Sequence, residues 1–404
     1  MSICESYFVP VPYFNDGLEK MSNMNKIDPL KICYVSYREK LETNLEHLSR
    51  YVVTYGYDVT IINISNHPKN NYYTTDGRRI VYIDLPDRLK TRKSQLIFIL
   101  KTVKFLKKQN FSIIHIESSC KYFWLLKLSF KKAKFVYHLL SYPLSKNRLP
   151  VLKRLITVLL QSIWMDSIII QSEEQKEKWI GIRHFKKTKI IPVGFDSQLL
   201  YPLDNAQKTV MKKRLGFEQN MPVLIYAGAM GELRQLNRLI FALKEVHKVY
   251  QQVKLMMVGN NDSAISIKST ILSLNLQNSI IFTGEVPHKE MVKYYGVADV
   301  GISFIPINKN FTCNPPLKTY EYLACALPCI ATRTISNSKI IKDQFNGILV
   351  NDTVEDVARA IIELLNNDQK QKTLKQNARK SIALYDFETI TKTSLVPLYA
   401  DLLK

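Results

Sequence analysis

Leu30-Lys31-Ile32-Cys33-Tyr34-Val35-Ser36, an amphipathic stretch from Leu41 to Tyr55, then Gly56 and Asp58-Val59-Thr60-Ile61-Ile62-Asn63-Ile64: this passage decides the fold. The first run is short and apolar, as a buried strand is. In the stretch that follows, Leu45, Leu48 and Val52 recur at three and four residues, which lines one face of a helix. Gly56 closes that helix, and the β-branched run completes a strand–helix–strand unit of about thirty residues, the usual size of the motif. Such a crossover joins parallel strands, so a parallel sheet is predicted.

Outward from this unit the alternation continues. Ile80–Ile83, Ser112–Ile116, Phe135–Leu140, Ser167–Ile170 and Lys189–Pro192 are further strand candidates, most of them separated by helical spacers. Gly194 to Gln207, with Pro202, Asp204 and Asn205, breaks the series. A second series opens at Pro222-Val223-Leu224-Ile225-Tyr226-Ala227-Gly228 and runs through strands at 254–259, 280–284, 300–304 and 329–331, with helices at 234–250, 263–274, 288–296 and 317–325 between them. The prediction is an α/β protein of two doubly wound parallel-sheet domains, 30–203 and 204–384. A leader, 1–29, is expected to be poorly ordered, and a terminal helix, 385–404, to pack back on the first domain. Ligands bind such sheets at the carboxyl ends of the strands, so the cleft between the domains is the expected site.

Composition agrees. A chain of 404 residues that is 46% hydrophobic and 23% charged can build two cores and is too apolar to be largely disordered. Six cysteines with no CxxC pair fit neither a zinc site nor a disulfide framework, which points to a reduced, cytoplasmic setting. The uncharged run Leu155–Met165 falls well short of the roughly 20 residues of a spanning helix. The first thirty residues lack the cationic start and apolar core of a signal peptide.

The net charge of +22 is uneven: residues 101–150 hold eleven basic side chains, Lys104, Lys107, Lys108, Lys127, Lys131, Lys132 and Lys134 among them, against the single acid Glu117. An anionic partner is expected there. No zinc finger, KH or RNP-like string accompanies the lysines, which points away from nucleic acid. A phosphorylated substrate or an anionic membrane surface remains. Leu96–Lys108 mixes apolar and lysine positions at helical spacing, as interfacial helices do and as packed helices with a solvated edge also do.

Ile190-Ile191-Pro192-Val193-Gly194-Phe195-Asp196, Tyr226–Ile240, Phe282-Thr283-Gly284-Glu285-Val286-Pro287, Ala298-Asp299-Val300 and Pro315–Ala331 together resemble the retaining glycosyltransferases of GT-B fold, glycosyltransferase family 4 (group 1). The resemblance runs from about Lys31 to the end of the chain. It implies a GT-B architecture, two Rossmann-like domains facing a central cleft, and sugar transfer from a nucleotide-diphosphate sugar to a hydroxyl of a glycan or lipid-linked glycan. No other cofactor is implied.

Site residues follow from the motifs. Glu321, in the passage resembling the family's helix-to-strand segment, is implied as the carboxylate that accepts two ribose hydroxyls. The turn Pro315-Pro316-Leu317-Lys318-Thr319 leaves the first helical amides free, a seat for a diphosphate to which Lys318 can add charge. Gly228 lies in the loop Tyr226–Leu236, where Arg234 takes the place of the family's lysine and Ala229 that of its arginine. Arg234 is therefore expected to carry more of the leaving-group stabilisation. His138 is the nearest candidate for the histidine that the family places beside the reacting sugar. The family's other glutamate is replaced by Cys313, which implies either a changed donor pocket or a branch in which Asn314 or a backbone group orients the sugar, so the sugar contact is not carried over. The family's Gly-Gly reads Glu39-Lys40, a loop either displaced or facing the acceptor.

No Asp-x-Asp string is present, so metal-independent transfer is expected. The alternatives are a nucleotide-sugar 2-epimerase, a phosphorylase, or a catalytically silent binder of nucleotide-sugars or anionic surfaces. The basic 101–134 face suggests a lipid-linked or anionic acceptor, with the enzyme peripheral on the inner membrane leaflet.

Overall fold

A computed structural model describes residues 29–65, 67, 69–85, 91–143, 148–180, 187–260, 265–308, 311 and 313–404. The leader expected at 1–29 lies, but for its last residue, outside them.

The chain builds two twisted sheets. In the first, β1 (Lys31–Val35), β2 (Asp58–Ser65), β3 (Tyr72–Tyr73), β4 (Arg79–Asp84), β5 (Ile113–Glu117), β6 (Lys134–His138), β7 (Ser167–Ile170) and β8 (Thr188–Ile190) lie in the order β3-β4-β2-β1-β5-β6-β7-β8. All pairings are parallel except β3 with β4. The second sheet contains β9 (Val223–Ala227), β10 (Lys254–Val258), β11 (Ile280–Gly284), β12 (Val300–Ser303), β13 (Cys329–Thr332) and β14 (Ile348–Val350) in the order β11-β10-β9-β12-β13-β14, all parallel. That is the doubly wound order, with its reversal between β9 and β12, where a crevice opens.

The inner strands of each sheet are buried on both faces, which explains their unbroken Ile, Val and Leu runs, whereas the edge strands β3 and β8 are partly or wholly exposed. On one face of the first sheet, the helices at 92–106, 124–129, 148–162 and 173–180 cover Cys33, Ile62, Ile114, Phe135 and Ile168. On the other, helix Thr43–Thr54 and the chain's last turns cover Ile32, Tyr34, Val59 and Val136. Two sequence expectations need correction. The strands β3 and β14 are additional, and the helix expected from Arg234 starts at Asn237, with Glu232–Arg234 forming a separate 3-10 turn.

The chain crosses between the lobes twice, side by side. Phe195 N–H donates to the Tyr385 carbonyl at 3.0 Å and Phe387 N–H to that of Phe195 at 2.9 Å. A Cβ on Gly194 would stand 2.1 Å from the Tyr385 oxygen, so only glycine lets the crossings touch. After the second crossing, Phe387, Ile390, Leu395, Leu398 and Tyr399 pack on the first sheet. A π-turn at Thr391–Leu395 precedes Pro397, which has no N–H for the helical ladder.

Tyr399 fixes this closing segment. Its hydroxyl meets Tyr34 Oη at 2.8 Å and His115 Nδ1 at 2.5 Å, and His115 Nε2 meets His138 Nδ1 at 3.2 Å, all four residues being buried.

Candidate functional site

The crevice is built where β9 ends. Gly228 has φ +129, which a side chain adopts only with strain, and a Cβ there would meet the Lys318 ammonium at 3.4 Å. The turn after it brings Arg234 over the Phe311 ring, 4.8 Å from its centroid. Across the crevice, helix Leu317–Ala324 starts after Pro316, with no side-chain cap on its first amides.

The nitrogen of Lys318 lies 3.5 Å from the centroid of the buried Tyr226 ring and has no hydrogen-bond partner among the described residues. Burial, with Arg234 adding like-charge repulsion, holds its pKa well below the ordinary lysine value. An ammonium buried without a partner costs several kcal/mol, on the order of what a buried ion pair loses when one member is removed. Next to a guanidinium and bare helix amides, the group that would remove that cost is an anion.

Thr319, expected among the ligand contacts, faces the other way. Its amide donates to the Pro316 carbonyl at 3.1 Å, and its hydroxyl sits 2.8 Å from Ser303 Oγ and 2.9 Å from Asn337 Oδ1, which locks the helix to β12 and the following helix. It positions Lys318 and offers no free donor.

Glu321, one turn further on, is held between His288 and Tyr295. Its Oε1 is 2.8 Å from His288 Nε2, and Oε2 accepts from Tyr295 Oη at 2.5 Å. Burial pushes the carboxyl pKa up, but the His288 hydrogen bond and charge outweigh it and hold the group below its usual value. Burial lowers and Glu321 raises the pKa of His288, with a net rise.

The network continues into the other lobe. His288 Nδ1 is 3.3 Å from His47 Nε2, and His47 Nδ1 is 3.0 Å from Asp196 Oδ2. Asp196 also accepts from Tyr51 Oη at 2.9 Å and Arg50 Nη1 at 3.2 Å. Burial opposes its ionisation, yet the His47 and Tyr51 contacts hold its pKa below the usual range. Every pair is satisfied when the two rings share three protons, one facing each carboxylate and one between the rings. The motif readings single out neither His47 nor His288. Their only sequence signals are positions beside recognised segments, His288 after Pro287 and His47 inside the Leu41–Tyr55 helix.

His138 does not line the crevice. It is 1% exposed, stacked on His115, and burial lowers its pKa to about 3, so it is a neutral interior residue of the Tyr399 cluster. Asn314 is also committed elsewhere. Its amide accepts from Tyr142 N at 2.7 Å and donates to Tyr142 O at 3.0 Å, joining the two lobes, while the buried Cys313 carbonyl accepts from Ser172 Oγ at 3.1 Å. Arg38, before the Glu39-Lys40 loop, pairs with the buried Glu117 at 2.5 Å. Burial and the Glu117 charge raise nearby Glu42 to about 7, and burial raises Glu117 as well.

Of the 101–134 lysines, Lys104, Lys107, Lys108, Lys131 and Lys132 are exposed, whereas Lys127 is tied to Asp166 at 2.6 Å. No described helix is long and apolar enough to cross a membrane.

Comparison with known proteins agrees with this architecture. Residues 41–199 match the family described as Glycosyltransferase Family 4, and residues 207–381 match Glycosyl transferases group 1. Alpha-monoglucosyldiacylglycerol synthase of Acholeplasma laidlawii is 26% identical over 237 residues, 58% of each chain. Its namesake in Streptococcus pneumoniae is 25% identical over 52% of this chain and 48% of its own. The chain thus spans about half the length of these relatives. The putative glycosyltransferase YtcC of Bacillus subtilis is 22% identical over 83% of this chain and 82% of its own. Among solved structures, sucrose-phosphate synthase from Thermosynechococcus elongatus superposes with a TM-score of 0.76 at 18% identity, covering 92% of this chain and 99% of its own. Anabaena HepE, solved with UDP and glucose, gives 0.71 at 18%, covering 91% and 99%. Two parallel-sheet lobes in doubly wound order, matched across both by these families, place the chain in the glycosyltransferases: it belongs to family 4, group 1, with the GT-B fold.

Proposed function

We infer that the protein transfers a sugar from a nucleoside-diphosphate sugar to a hydroxyl acceptor, with retention and without a metal. The observation that carries this reading is the unpartnered Lys318 ammonium, set beside Arg234 at an uncapped helix start, with Glu321 one turn away. Lys318, Arg234 and the Leu317 and Lys318 amides suit a diphosphate, and Glu321 suits the ribose hydroxyls once they displace His288 and Tyr295. The bond from the sugar's anomeric carbon to the diphosphate oxygen breaks as the acceptor oxygen bonds that carbon on the same face. The acceptor's proton passes to the departing diphosphate. Cations aimed at the leaving group act where charge develops.

Retention is supported by the family to which the chain belongs, and a UDP donor by the UDP and glucose with which Anabaena HepE was solved. The names of the Acholeplasma and Streptococcus relatives, with the exposed lysines of 101–132, favour a lipid or lipid-linked acceptor and a cytoplasmic enzyme peripheral to the inner leaflet. A thermal-shift panel of UDP-, GDP- and ADP-sugars tests the donor. One nucleotide class should stabilise the wild type and not Glu321→Ala, and stabilisation of both proteins or of neither contradicts the reading.

A further inference from the structure

Helix Arg148–Ser162 wears its hydrophobic stripe on the outside. Leu149, Leu152, Ile156, Leu159, Leu160 and Ile163 recur at helical spacing, and each is between 38% and 60% exposed. The opposite face, with Val158, Gln161 and Ser162, is the one that packs on the sheet. A continuous apolar stripe turned to solvent marks a contact surface.

Its surroundings identify the partner. From Arg92 to Met165 the sequence holds fifteen Lys and Arg and one acid, Glu117, which is fully buried. Between those positions no carboxylate faces solvent, while Lys104, Lys107, Lys108, Lys121, Lys131, Lys132 and Lys153 are exposed; the exposed acids of this face, Glu173 and Glu177, lie on the neighbouring helix 173–180. A second copy of the chain laid on the same stripe would bring like charges together. An anionic bilayer offers apolar depth for the stripe and negative charge for its rim. Trp164, 43% exposed and 6.3 Å from the Trp124 ring, stands at the end of the stripe, where interfacial tryptophans sit.

The helix also lies near the strand ends that face the other lobe. It follows the carboxyl end of β6, Arg154 donates to the carbonyl of Ser118 just beyond β5, and Tyr142 meets Asn314 of the other lobe.

We propose that the outward stripe of 149–163, rimmed by these lysines, docks the protein on an anionic lipid surface with the cleft mouth beside the bilayer. Docking needs neither donor nor acceptor, so it is tested apart from the transferase reading. The full-length protein is sedimented with vesicles of phosphatidylcholine alone and with added phosphatidylglycerol. Wild type is expected in the pellet with the mixed vesicles only, less so at high salt. The triple variant Leu152→Ser, Ile156→Ser, Leu160→Ser should lose about tenfold or more in vesicle affinity, as shortening a buried apolar surface predicts. Its thermal midpoint should be unchanged, because these side chains are exposed. Lys131→Glu with Lys132→Glu should weaken binding to the mixed vesicles alone. Wild type absent from both pellets, equal binding to both vesicles, or a triple variant that binds as well as wild type overturns the proposal. So does a wild-type dimer that the triple variant dissolves while vesicles capture neither.

Discussion

His47 and His288 belong to different lobes and meet ring nitrogen to ring nitrogen at 3.3 Å, so that Asp196 at one end and Glu321 at the other are joined through two imidazoles. The carboxylate suited to a ribose is thus already engaged, and its partner is a histidine that touches the opposite lobe. On the proposed reading, ligand binding at Glu321 and contact between the lobes draw on the same pair of imidazoles.

The pH dependence of stability follows from the two shifts. The His288 pKa is raised on folding, so its contribution is fully present below its ordinary 6.5 and is lost as pH rises through the raised value. The Glu321 pKa is depressed, so its contribution is present above its ordinary 4.5 and is lost as pH falls through the lowered one. The difference in melting temperature between wild type and His288→Ala should therefore be greatest between pH 4.5 and 6.5 and shrink on both sides. A difference independent of pH would show that the pair is not ionised.

Lys318→Met should separate stability from binding. Removing a buried, unpartnered charge while keeping the chain length should stabilise the fold by about 1–3 kcal/mol in urea titration. The same change should weaken the nucleoside diphosphate by about tenfold to a hundredfold, the range for losing a charge-assisted contact. Unchanged nucleotide affinity would place the diphosphate elsewhere.

Arg234→Ala should lower kcat by about a hundredfold to a thousandfold, as loss of a leaving-charge contact does, with the acceptor KM little changed. Steady-state kinetics with a matched donor and acceptor distinguishes this from a helix-start arginine without a chemical role.

Tyr399→Phe removes the hydroxyl shared by Tyr34 and His115 and leaves a buried ring nitrogen unsatisfied. A loss of about 1–3 kcal/mol is expected in equilibrium unfolding.

Much of this is legible in the sequence. The β-strands of both lobes other than β3 and β14 stand out as apolar runs, because a parallel sheet covered on both faces leaves no alternation to blur them. Glu321, Lys318, Arg234 and Gly228 are visible in local strings, since a helix start and a tight turn are set by neighbours in sequence. Contacts between distant segments are not legible. His47 and His288 are 241 residues apart, and nothing local predicts that they touch. His138 is misplaced by sequence reading because a residue at a strand's end can face the cleft or the interior, and in its case His115 and Tyr399 wait on the interior side. Asn314 stays open as one alternative for orienting the sugar because Tyr142, which occupies its amide, lies in the other lobe. The stripe of 149–163 shows a further gap. Helical period reveals that one face is apolar and is silent on whether that face turns inward.

Calorimetric titration of UDP, GDP and ADP into wild type, Lys318→Met and Glu321→Ala tests the donor site most directly. One of the three nucleotides should bind the wild type and lose about tenfold or more in affinity to each variant, the cost of a missing charged contact. Binding of none of the three, or equal binding to all three proteins, would contradict the assignment of the crevice between Gly228 and helix Leu317–Ala324 to a nucleoside diphosphate.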